Sequence, residues 1–316
     1  MSPRDIFLDV DTGVDDALAL LLAARSPDLQ IKGITCVSGN VPVDLVVRNT
    51  LDIMKVADQS HVPVARGMDT PLIEKMVNAA EIHGENGLGG VELPESSTKA
   101  ITLHAVEFLY NELSNSANPI TIVALAPLTN IATLIRTYPD VLPKIGRLVV
   151  MGGAIGPGNI TPTTEFNIRQ DPEAADIIFS SGIPVLLYTW DVFIQVAFSR
   201  AEIETLASSS KKCSSLAGEL LTSMLNRFGR EQTSIGDAGA LACLLNPGGI
   251  TTKNLPVAVE LSGKYTRGQT VVDQRPPDLS RLEEGGLEVP MPNSVEVVVD
   301  VDVNSLRDTF TDHLAR

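Results

Sequence analysis

Asp9-Val10-Asp11-Thr12-Gly13-Val14-Asp15-Asp16 places four carboxylates within eight residues, directly after the apolar run Ile6-Phe7-Leu8 and at the head of a helix-like stretch over residues 14–25. Carboxylates this close raise the cost of each other's ionisation unless a cation compensates. The octet follows a buried type of strand and opens an apolar helix, so it is expected inside the fold. Asp15 and Asp16 fall at the helix N-terminus, where the helix dipole favours negative charge. Hard oxygen donors in this number suit Ca²⁺ or Mg²⁺. The plainer alternative is a solvated cluster that caps the helix.

Outward from the octet, strand-like and helical runs alternate. Strands are expected over residues 31–37, 62–65, 120–125, 148–151 and 183–188, and helices over 43–57, 101–113, 128–137 and 172–180. Helices at 201–208, 214–228 and 237–245 follow. This alternation predicts an α/β fold with a doubly wound, mostly parallel central sheet, in one domain spanning residues 1–316. The end of the chain changes character. Strands at 257–261, 270–273 and 294–301, then a helix at 304–314, read as a small antiparallel or mixed C-terminal strand/helix addition. Residues 70–98 and 152–167 read as long functional loops.

Composition narrows the function. The chain has 316 residues, 44% hydrophobic and 4% aromatic, enough to bury a substantial core. Its 39 acidic residues against 24 basic give a net charge of −15, which argues against nucleic-acid and membrane partners and for small neutral substrates and bound cations. Three scattered cysteines, Cys36, Cys213 and Cys243, make neither a disulfide framework nor a zinc site and point to a reduced, cytoplasmic setting. The apolar run at 17–24 follows the aspartates without a basic leader and is too short to span a membrane, so no targeting signal is expected.

One other reading of the octet fails on spacing, and a second stays as the runner-up. An EF-hand loop counted from Asp9 would need Gly and Glu where Val14 and Leu20 stand. A haloacid-dehalogenase-type phosphatase would need Thr at Gly13, and Gly236-Asp237 is followed by Ala-Gly-Ala-Leu with no second Asp. The octet instead resembles the Asp-x-Asp-x-Gly-x-Asp-Asp motif of the inosine–uridine nucleoside hydrolases. The likeness continues in order through Val37-Ser-Gly-Asn40, His83-Gly-Glu-Asn-Gly87, Pro127-Leu-Thr-Asn130, Met151-Gly-Gly153, Gly158-Asn-Ile-Thr161, Glu165-Phe-Asn167, Asp171-Pro-Glu-Ala174 and Thr266-Arg-Gly-Gln-Thr-Val-Val-Asp273.

The resemblance implies Ca²⁺-dependent hydrolysis of the N-glycosidic bond of ribonucleosides through an oxocarbenium-like transition state, with water activated by Asp11. It implies Asp11, Asp16, the Leu125 carbonyl and Asp237 as Ca²⁺ ligands, with Asp9 supporting them from behind. Asp237 could equally cap the helix it begins. Ribose contacts would come from Asp15, Asn40, Asn159, Glu165 and Asn167, whose carboxylates and amides suit vicinal hydroxyls. A homodimer or homotetramer acting on a small nucleoside is also implied.

The base end departs from the family pattern. Many inosine–uridine enzymes carry His immediately before the last metal-binding Asp, and here that residue is Gly236. Of the four histidines, His61, His83, His104 and His313, only His83 stands in a family motif, at the mouth of the base pocket, and it is the candidate acid for the leaving base. Phe166, Trp190, Arg230 and Gln232 are further base-pocket candidates. Phe166 and Trp190 suit core packing equally, and Arg230 and Gln232 lie in a flexible-looking segment.

Overall fold

The computed structural model describes residues 3–276 and 293–316. Eleven strands follow in chain order: β1 (Arg4–Val10), β2 (Leu29–Cys36), β3 (Val64–Arg66), β4 (Ile120–Ala124), β5 (Ile145–Met151), β6 (Val185–Tyr188), β7 (Ala197–Ser199), β8 (Gln232–Ser234), β9 (Ile250–Val259), β10 (Thr270–Val272) and β11 (Ser294–Val301). Nine form one sheet, in the order β10-β9-β11-β6-β5-β4-β1-β2-β3. From β11 to β3 every pairing is parallel, while β9 runs antiparallel to both β11 and β10.

The sheet is apolar on both faces, as a parallel sheet covered by helices must be. Successive residues of β1 alternate between two cores: Ile6, Leu8 and Val10 enter one and Phe7 the other. Helices Val14–Arg25, Val43–Val56, Lys212–Phe228, Asp237–Leu245 and Val303–Leu314 cover the first face. Helices Ala105–Asn115, Thr129–Thr137 and Pro172–Phe179 cover the second. The chain is therefore doubly wound, as its alternation of elements predicts. Among the described residues no helix is long and apolar enough to cross a membrane.

The C-terminal strands are mixed, as expected, but they continue the central sheet. β11 inserts beside β6 because it is apolar on both sides: Val295 and Val297 enter one core, Val298 and Val301 the other. β9 begins at Ile250, seven residues before its expected start, with the polar stretch Thr251-Thr252-Lys253-Asn254 in its first half. The helix expected from residue 101 begins at Ala105, since Ile101 instead bridges to Ala65 at the sheet edge. The expected loop over 70–98 contains a one-turn helix, Ala80–His83. The flexible-looking stretch around Arg230 and Gln232 is tied down, because β8 pairs antiparallel with β7.

Candidate active site

The strand order reverses between β1 and β4. From β1 the chain steps outward to β2 and β3, and from β4 it steps the other way to β5 and β6. Loops at the carboxyl ends of two such strands diverge and leave a crevice, where ligands of open α/β sheets bind. Asp9 and Asp11 sit at and just past the end of β1, and Leu125 directly follows β4.

The octet is almost entirely buried: Asp9, Asp11 and Asp16 are no more than 1% exposed. Backbone and side-chain donors together hold three of its four carboxylates. Asp16 accepts from the N–H groups of Asp11 (3.2 Å) and Gly13 (3.0 Å), which closes the turn into the helix. Asp11 accepts from the Asn40 N–H at 2.7 Å, and the Asn40 amide donates to Asp16 at 3.2 Å. Gly39 makes this approach possible: a Cβ there would lie 2.0 Å from an Asp11 carboxylate oxygen. Asp9 accepts from Thr35 (2.6 Å) and Asn130 (2.8 Å) through one oxygen, while its other oxygen is buried without a partner.

Asp237 joins the octet from the far side. One oxygen each from Asp15, Asp16 and Asp237 lie within 4.8 Å of one another. The anticipated metal set names Asp11 where this grouping has Asp15. Asp11 adjoins it through Asp16, and its other contact is the Asn40 backbone. The alternative reading of Asp237 as a helix cap fails: Gly236 occupies the cap, and no side-chain hydrogen bond caps the helix. The Leu125 carbonyl, the remaining anticipated ligand, accepts from the Asn167 amide at 2.8 Å.

Four of the five anticipated sugar contacts converge here. Glu165 accepts from the N–H groups of Gly153 (2.9 Å), Asn167 (2.9 Å) and Ile168 (3.2 Å), so it fixes the start of helix Phe166–Gln170 against the end of β5. Asn167 ties together β4 and β5 through the carbonyls of Leu125 and Met151. Asp15 has one oxygen buried without a partner. Asn159 stands apart, exposed on the loop after β5, where its N–H donates to the Thr164 carbonyl.

Crowding and burial act together on the acids. Burial pushes Asp9 up to about 7, against its hydrogen bonds from Asn130 and Thr35. Burial and then the charge of Asp15 push Asp16 up to about 7. Burial likewise raises Glu165 to about 7. Asp11 and Asp237 lie well above the ordinary carboxylate range, from burial first and neighbouring acids second. A fold that gathers so many acids away from water gains most from a bound cation.

His83 lies against this cluster, buried rather than at a pocket mouth. Its Nδ1 accepts the Val14 N–H at 3.1 Å and stands 3.8 Å from an Asp15 oxygen. Burial holds its ring below the usual histidine value, which favours the neutral form. Gly236 has φ 61° and ψ −129°, a conformation that side chains rarely adopt, and a Cβ there would lie 2.3 Å from the Asp15 Cβ. No other residue fits that turn without displacing Asp15.

The remaining base-end candidates are dispersed. Phe166 is half-buried at the first position of its short helix. Trp190 packs on the first core and meets Phe193 at a tilt of 36°, ring centroids 4.7 Å apart. Arg230 and Gln232 are exposed: the Arg230 guanidinium lies over the Phe228 ring, and Gln232 pairs with Ser199 in the hairpin.

Several supporting residues went unassigned in the sequence. Asn130 binds the Asp9 carboxylate, the Cys36 carbonyl and the Met68 N–H, and so joins β1, β2 and the segment after β3. Asp171 caps its helix through Ala174 N–H, accepts from Thr129 at 2.6 Å and holds the Leu72 N–H. Asp followed by Pro at the first helical position is a cap pattern legible in sequence. Arg267 clamps Glu74 and Glu173, both at 2.8 Å, across sequence distances that no local pattern reveals.

Comparison with known proteins identifies the family. The model of the inosine-uridine preferring nucleoside hydrolase family matches residues 6–308. The pyrimidine-specific ribonucleoside hydrolase RihA of Salmonella arizonae is 41% identical over 315 residues, covering 98% of this chain and 96% of its own. A solved plant nucleoside hydrolase, PpNRh1, superposes with a TM-score of 0.91 at 28% identity, over 99% of both chains. The purine-preferring ribonucleoside hydrolase of Gardnerella vaginalis superposes with a TM-score of 0.88 at 31% identity, over 99% of this chain and 98% of its own. The chain belongs to the inosine-uridine preferring nucleoside hydrolase family: it is a nucleoside hydrolase, an enzyme that cuts N-glycosyl bonds.

Proposed function

We propose that this enzyme hydrolyses pyrimidine ribonucleosides most readily and that its buried acid cluster holds one Ca²⁺. The observation that carries the reading is the gathering of Asp11, Asp15, Asp16 and Asp237 at the reversal of the sheet, with an Asp15 oxygen buried and unpartnered. An all-oxygen donor set with raised proton affinity fits a hard divalent cation. Asp11, Asp16, Asp237 and the Leu125 carbonyl are the residues assigned to hold it, and Asp15 lies close enough to share the site. When bound, the ion supplies positive charge that acidifies a neighbouring water.

The protein's own groups then divide the work. Asp11 takes the proton of the attacking water, with its carboxylate aimed by the Asn40 N–H. Asp15, Asn40, Glu165 and Asn167 grip the ribose hydroxyls, with Asn159 closing from its exposed loop. The surrounding carboxylates favour the positive charge that develops on the sugar. His83 carries a proton on Nε2, since Nδ1 is an acceptor, and can donate from that atom toward the departing base.

The pyrimidine assignment rests on the full-length likeness to RihA proteins at 39–41% identity. The domain assignment rests on one nine-stranded sheet that takes in both β1 and β11. The enzyme works in the cytoplasm as a homodimer or homotetramer in this reading. A panel of uridine, cytidine, inosine, guanosine and adenosine, assayed for free ribose, tests it. Uridine or cytidine should be cut fastest, and a purine preference would overturn the base assignment.

A further inference from the structure

Gly236 cannot carry an acid, and the only histidine at the cluster has one ring nitrogen committed to the Val14 N–H. What else meets the base as it leaves? Gly236 and His83 both touch Asp15, so the base end of the crevice lies where the turn before Asp237 faces helix Ala80–His83. The C-terminal turn of helix Lys212–Phe228 ends at the same place. From it Arg227 reaches across, donating from Nη1 to the Glu81 carbonyl at 3.2 Å. Its Nη2 lies 2.9 Å from where a Cβ on Gly84 would stand, beside His83.

Acidic residues outnumber basic ones 39 to 24, yet none of the ion pairs among the described residues includes Arg227. Arg25, Arg136 and Arg230 likewise stand outside every ion pair among the described residues, but Arg227 is the one whose guanidinium reaches the segment carrying His83. Its side chain is exposed, and one backbone carbonyl holds it. A guanidinium has five N–H donors in a rigid plane, so one carbonyl leaves most of them available. An anion with adjacent nitrogen and oxygen acceptors matches such a fork.

We propose that Arg227 receives the nucleobase as it departs, its guanidinium holding the negative charge released by the broken glycosidic bond. The inference rests on the nucleoside-hydrolase reading of the same crevice. In the step, the C1′–N bond breaks and its electron pair passes to the base, where it spreads onto the adjacent carbonyl oxygen. The oxygen of water bonds to C1′, and the proton of that water goes to Asp11. The base anion, paired with Arg227, takes a proton from solvent after it leaves. The cation takes the place of proton transfer at the moment of cleavage, and the His83 Nε2–H contributes a hydrogen bond to the same base.

The test uses Arg227→Ala and Arg227→Lys in the full-length enzyme, on p-nitrophenyl riboside and on whichever nucleoside the wild type cuts fastest. Losing the guanidinium that meets the departing charge should lower kcat for the nucleoside about 100-fold in Arg227→Ala. The rate on p-nitrophenyl riboside, whose phenolate leaves unaided, should change by less than about threefold. Arg227→Lys should fall between, and added guanidinium ion should restore part of the nucleoside rate in Arg227→Ala. Equal losses on both substrates would overturn the proposal, since Arg227 would then act only by holding helix Ala80–His83. Unchanged nucleoside turnover would also overturn it. The wild-type rate on nucleosides separately tests the hydrolase reading.

Discussion

The proposed sugar end and the proposed base end of this crevice are built from different material. At the sugar end, Asp9, Asp11, Asp16, Glu165 and Asn167 are buried, and each is held by backbone N–H groups, backbone carbonyls or neighbouring polar side chains at strand ends. At the proposed base end, Arg227 is exposed on the last turn of helix Lys212–Phe228, and the candidates Arg230 and Gln232 are exposed in the segment beyond it. Groups locked into the scaffold hold their geometry before substrate arrives, which is what charge stabilisation requires. Groups on exposed segments vary at little cost to the fold, which suits a surface that selects among bases.

The largest effect should fall at the sugar end. Asp11→Asn keeps the shape but removes the proposed base, and kcat should drop about 1,000-fold or more in a ribose-release assay. Activity within tenfold of wild type would mean that the base lies elsewhere. Next comes the junction of the two ends. Gly236→Ala forces a strained backbone and drives a Cβ into Asp15, and kcat/KM should fall about 10- to 100-fold. Gly236→His should do no better, despite matching the histidine of the family pattern named in the resemblance. Recovery of activity by that histidine would show that the turn adapts and the steric argument is wrong.

His83→Ala distinguishes acid from support. If Nε2–H helps the base leave, the loss on uridine should exceed the loss on p-nitrophenyl riboside by about tenfold. Equal losses would leave His83 as packing for the Val14 turn.

A smaller, thermodynamic effect separates the cluster from the rest of the surface. Asp9, Asp16 and Glu165 titrate near 7 in the fold, against ordinary values of 3.8, 3.8 and 4.5, so the ion-free fold binds more protons than the unfolded chain. Its stability should be greatest below about pH 4 as far as these groups decide, and should be lost as pH rises through about 7. Calcium reverses this, because it binds the deprotonated cluster. The gain in Tm on adding Ca²⁺, followed by calorimetry, should therefore grow between about pH 5 and pH 8. A gain independent of pH would place the ion away from these acids. Smallest of all, Arg230→Ala and Gln232→Ala should each change kcat/KM by less than about threefold on uridine.

The same contrast governs what could be read from the sequence. The octet was legible because buried like charges have few explanations, and helix Val14–Arg25 matches its expected bounds. The central sheet followed from alternating apolar runs. β9 began earlier than expected because polar Thr251-Thr252-Lys253-Asn254 hides its first half. Asn130, Asp171 and Arg267 escaped assignment because their partners are distant in sequence and their residue types are common in loops. At the base end the sequence points to Arg230 and Gln232, whereas the structure brings Arg227 to the segment carrying His83. The register of helix Lys212–Phe228 decides which arginine faces His83, and composition carries no trace of it.

The most direct test of the central claim is the rate of ribose release from uridine as a function of free Ca²⁺. The protein is first depleted of metal by a chelator, with depletion verified by elemental analysis. The buried acid cluster predicts negligible turnover without the ion and full recovery on saturation with about one Ca²⁺ per chain. Undiminished ribose release from the metal-free protein would contradict it.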